Sequence, residues 1–138
     1  MALLTPNKGE LELLDKMLKD ALDTDESYLL KLYKNDYTPA DASVTASFTQ
    51  ADFTNYAGRT LTRAGWNAAV TVSGKAETSY GTGPQSWTCG ASGNTVYGYY
   101  VEGITSGTTL WAERFSTSRV LANGDVLNIT PKFTLNKE

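Results

Sequence analysis

The segment from Asn94 to Phe115, NTVYGYYVEGITSGTTLWAERF, constrains the fold more than any other part of the chain. It predicts two strands, Thr95–Glu102 and Thr108–Phe115, joined by a turn bracketed by Gly103 and Gly107, where glycine supplies backbone angles that other residues resist. Side chains alternate across a strand, so Val96, Gly98 and Tyr100 take one face of the first strand and Tyr97, Tyr99 and Val101 the other. Large residues on both faces predict a hairpin covered on each side by protein. The core is therefore expected to be all-β.

Strand signals continue on either side of this hairpin. Tyr28–Asn35 opens the β region, and Val44–Phe48 is expected as a short edge strand. Tyr56–Arg63 and Trp66–Ser73 flank Ala64-Gly65 as a second hairpin, with Lys75–Tyr80 as the next strand. Gln85–Cys89 and Val126–Leu135 complete the set, and Pro131, which cannot donate to a ladder, marks an edge or a bulge. Eight or nine short strands at this spacing predict a mainly β fold, an antiparallel β-sandwich of the jelly-roll or Greek-key kind. The candidate core residues are Trp66, Trp87, Tyr100, Trp111, Phe115 and Phe133.

The first 26 residues follow another period. Leu11, Leu14, Leu18 and Leu22 recur at helical spacing, and Met17 and Ala21 widen the stripe, which predicts an N-terminal amphipathic α-helix. Asn7 and Glu10 are placed as a capping pair, and the acidic residues from Asp20 to Glu26 disfavour continuation past Leu22. A helix this short is marginal in water and must dock, either on its own domain or on a neighbouring subunit. Leu11, Leu14, Met17, Leu18 and Leu22 are the candidate interface. The expected organisation is a helical arm over 1–26 and a β-sandwich domain over 27–138.

The chain contains no histidine and a single cysteine, Cys89. Histidine-dependent triads, Cys–His pairs and His metal sites are excluded, as is an internal disulfide. Cys89 is expected as a small buried hydrophobe. The strand-borne carboxylates Glu77, Glu102 and Glu113 are expected to be solvated, not paired for glycoside chemistry. The cluster Asp20, Asp23, Asp25 and Glu26 lacks the spacing and glycine of a calcium loop. No catalytic residue, metal or cofactor is expected, and the chain does not read as an enzyme. A net charge of −3 argues against nucleic acid as a partner, and no apolar run or secretory leader supports a membrane or Sec-exported role.

The segments LKLYKNDYTP (30–39), SFTQADFTNYAGRTLTRAGW (47–66), SWTCGASGNTVYGYYVEG (86–103), LWAERF (110–115) and NGDVLNITPKFTL (123–135) together resemble small tailed-bacteriophage virion structural proteins. The resemblance is closest to head decoration, or cement, proteins. It implies a virion protein made in the host cytoplasm that binds the major capsid protein on the outer surface of the head and stabilises it. A homo-oligomer, a trimer, is expected as well. A neck, tail or fibre-associated virion component is the neighbouring alternative, and a carbohydrate-binding β-sandwich is the rival from another class.

Overall fold

The computed structural model of the protein describes residues 27–81 and 83–135. The arm expected over residues 1–26, with its five candidate interface residues and its acidic cluster, lies outside them. The described chain is mainly β, with antiparallel sheets. The strands are β1 (Ser27–Tyr33), β2 (Arg59–Thr62), β3 (Val70–Val72), β4 (Lys75–Ser79), β5 (Gln85–Thr88), β6 (Thr95–Gly103), β7 (Thr109–Val120), β8 (Val126–Ile129) and β9 (Lys132–Leu135). They form a four-stranded sheet ordered β2-β1-β6-β7, a three-stranded sheet ordered β3-β4-β9, and a β5-β8 pair.

The organising hairpin forms where the alternation placed it, as β6 and β7, but its two strands have different surroundings. β6 is interior to its sheet and almost wholly buried; β7 is an edge strand, largely half-buried or exposed. One face of β6 contributes Tyr99 and Val101 to the main core, with Tyr28, Leu30 and Leu32 of β1 and Trp66, Trp87, Leu127 and Ile129 from the other elements. The opposite face carries Tyr100, which stacks on Phe48 with ring centroids 4.7 Å apart, and Phe48 also meets Tyr33 at 5.1 Å. Residues 34–50 fold over this second face, and Ala51 and Phe53 beyond them turn into the main core. They are held by Lys34 N–H donating to Thr49 O (2.8 Å), Ala51 N–H to Leu32 O (2.9 Å) and Leu32 N–H to the Tyr56 hydroxyl (3.0 Å). Each large side chain so buried contributes about 1.5–3 kcal/mol before entropic costs.

Strict alternation does not run the whole length of β6. Val96 shares the main core with Tyr99 and Val101, while Tyr97 packs with Tyr33, Phe48 and Tyr100. The register is irregular at the same place: Val96 pairs with Arg119 but Gly98 with Arg114, so β7 carries extra residues opposite Tyr97. A bulge of this kind bends the strand that carries it and increases the local twist.

Three local expectations are corrected. Val44–Phe48 is not a strand, because Thr45–Ser47 is a 3-10 turn. The hydroxyl of Ser43 accepts from Ala40 N–H (2.8 Å) and that of Ser47 from Val44 N–H (3.1 Å), taking donors that a ladder would have used. β2 and β3 are not a hairpin either. A 3-10 turn at Arg63–Gly65 carries the chain from the first sheet to the second, where β3 pairs with β4 across Ser73 and Gly74, both at positive φ. Finally, Val126–Leu135 is two strands in two sheets, parted at Thr130-Pro131, where Pro131 has no N–H to give but its carbonyl accepts from Tyr80 N–H (2.9 Å).

Gly98 is placed where β6, β7 and Tyr33 come closest. A Cβ there would overlap the Glu113 carbonyl oxygen and lie 2.6 Å from the Tyr33 hydroxyl. Gly98→Ala is therefore expected to destabilise the fold by about 1–3 kcal/mol, read as a lower urea midpoint with an unchanged slope.

Candidate functional site

The most distinctive surface is a groove running beside β7. Its walls are β7 on one side and β8 and β9 on the other. Each of these is an end strand of its sheet, so the groove lies where three sheets end. Trp111, Phe115 and Phe133 are partly buried against the main core and line it, together with Tyr99. The Trp111 ring lies 4.8 Å from Phe133 and 5.8 Å from the buried Trp66, so it continues the core aromatics outward. Further along β7 the lining becomes polar, with Ser116, Thr117, Arg119 and Asn128.

The six candidate core residues divide by position. Trp66 and Trp87 are buried in the main core, where Trp87 Nε1–H donates to Ala57 O (2.8 Å) and the Arg59 guanidinium lies 5.5 Å from the ring centre. Tyr100 is buried in the second aromatic cluster. Trp111, Phe115 and Phe133 are the ones brought together at the groove. Sequence reasoning named these three residues without locating the groove. The available signal was Trp111 and Phe115 on one face of β7 and Phe133 following a proline break. Cys89 is buried, as its type suggests.

The strand carboxylates meet different fates. Glu113, on the groove rim, accepts a hydrogen bond from the Tyr99 hydroxyl (2.7 Å). Burial, and then this hydrogen bond to a carboxylate, push the Tyr99 phenol well above its ordinary value. Glu77 is 3.3 Å from Lys132 Nζ and accepts from the Thr134 hydroxyl. Glu102 corrects the expectation of solvated charge. It is only 5% exposed, on the face of β6 turned away from the main core, with its Oε1 paired to Lys31 Nζ. Its other oxygen has no hydrogen-bond partner. Among the described residues no group of three or more Cys, Asp or Glu side chains is arranged to hold a metal ion.

With this geometry in place, comparison with protein-family models and with curated proteins returns no match.

Two predictions follow from these contacts. Lys31→Met strands a buried carboxylate and is expected to cost about 2–4 kcal/mol, discounted at the low end for the partial exposure of Lys31. Adding Glu102→Leu should recover most of that loss in a double-mutant cycle. The second concerns alkali. Tyr33, Tyr56, Tyr99 and Tyr100 are all raised above the ordinary 10.0, chiefly by burial. A raised phenol favours the folded state fully below pH 10 and loses that contribution as the pH climbs toward the folded value, because the unfolded chain then ionises first. The melting temperature should therefore stay flat up to about pH 9.5 and fall above pH 10, with part of the tyrosinate absorbance appearing only on unfolding.

Proposed function

We propose that this chain is a bacteriophage virion structural protein, a capsid decoration protein that binds the outer surface of the head and reinforces it. In this reading the three sheets are the two layers of a β-sandwich of jelly-roll or Greek-key kind, preceded by the helical arm. The partners are the major capsid protein and further copies of the chain, in a trimer.

The observation that carries the proposal is the resemblance distributed over five segments of residues 30–135, supported by the kind of surface the fold presents. Exposed apolar side chains outside the groove, among them Val44, Val70 and Val72, suit attachment to another polypeptide surface, where many weak contacts add across repeated copies. The carboxylates on the strands are taken up by Lys31, Lys132 and the Tyr99 hydroxyl.

The test is to mix the purified full-length protein with heads that lack it, then measure occupancy and the temperature at which the heads rupture. Saturable occupancy with a raised rupture temperature is expected. Absence from heads together with density for the chain in the neck or tail would move it to another part of the virion. Saturable glycan binding with no place in a particle would replace the proposal with a carbohydrate-binding role.

A further inference from the structure

We infer that the groove beside β7 is the docking site of the chain's own N-terminal segment, residues 11–22. Its apolar stripe would lie on Trp111, Phe115 and Phe133. The inference is independent of whether the protein decorates a capsid.

Three observations point to this occupant. The first is the division of charge. Residues 1–26 hold three lysines and seven carboxylates, a net −4, whereas the remaining residues sum to +1. The acidity of the protein thus resides in the segment, and the groove lining offers it two exposed cations, Arg119 and Lys132 (the latter 3.3 Å from Glu77), against one carboxylate, Glu113. The second is reach. Ser27 enters the first sheet beside the β6–β7 turn, its carbonyl accepting from Ile104 N–H (3.1 Å), and Tyr28 is paired with Gly103. β7 lies two strands away, about 10 Å at ordinary strand spacing. The five steps from Ser27 back to Leu22, extended, span up to about 17 Å, enough to bring Leu22 to the start of the groove at Trp111. The third is fit. As a helix, residues 11–22 are about 17 Å long, against about 13 Å for the stretch from Trp111 to Phe115. One broad apolar face on that length matches one aromatic floor.

A short tether also decides between the chain's own groove and that of a second copy. When a linker can span the distance, the intramolecular event proceeds at an effective concentration in the millimolar range, well above that of another copy in dilute solution.

The experiment uses the full chain with pairs of surface cysteines and a short bismaleimide. Lys19→Cys is combined either with Thr130→Cys, exposed on the groove wall, or with Thr60→Cys, exposed on β2 at the far edge of the sheet. Cys89, 1% exposed, does not compete. Circular dichroism confirms that the variants fold. Within-chain linkage, identified by intact mass and peptide mapping, should form at least about tenfold faster for the Thr130 pair than for the Thr60 pair. Replacing Leu11, Leu14 and Leu18 with Ser in the same background should remove that difference. Equal rates for the two pairs would overturn the inference. Linkage chiefly between chains would also overturn it and give the groove to a second copy.

Discussion

β6 is buried on both faces, and that single constraint organises most of the described chain. A strand bearing Tyr99 and Val101 on one side and Tyr100 on the other cannot leave either side in water without exposing several aromatic or branched side chains. One side is met by the main core, where β1, β2 and the second group of strands contribute. The other is met by the loop of residues 34–50, whose Phe48 is stacked on Tyr100. That loop has little regular structure of its own, so side-chain and backbone hydrogen bonds hold it in place. Asn35 accepts from Thr49 N–H and donates to Ser47 O, and Asp52 bonds Lys34 and Asn94. Lys34 and Asn94 also keep the Asp52 carboxyl below the usual range.

Covering β6 on two faces leaves β7 as the place where protein runs out. It continues the hydrogen-bonded sheet by one strand and ends it. Trp111, Phe115 and Phe133 are therefore only partly covered by the described residues. The bulge opposite Tyr97 adds to this, because it gives an edge strand more residues than its partner and turns it away from straight pairing. The groove is thus a consequence of the packing order, with no special loop needed to create it.

This also explains what the sequence disclosed and what it withheld. The hairpin was legible because two glycines and a two-faced aromatic pattern are local signals. The sharing of one core by Val96 and Tyr99 was not, since nothing in the sequence of β6 announces a break in its alternation. Residues 63–65 resembled a hairpin turn because strand-like segments flank them. Only the competing pairing of β2 with β1 and β3 with β4 sends them to different sheets. Glu102 looked like ordinary surface charge, and its burial depends on Lys31 from a strand seventy-one residues away in sequence. The groove was least legible of all, since it exists only where end strands of separate sheets come together.

Native-state hydrogen exchange tests the central role of β6 most directly. The account predicts that the amides of β6 and β1 exchange only through global unfolding and show the highest protection in the chain, above those of β5 and β8. If β6 amides instead exchanged through a lower-energy local opening while β5 and β8 stayed protected, the doubly covered strand would not be the element on which the fold depends.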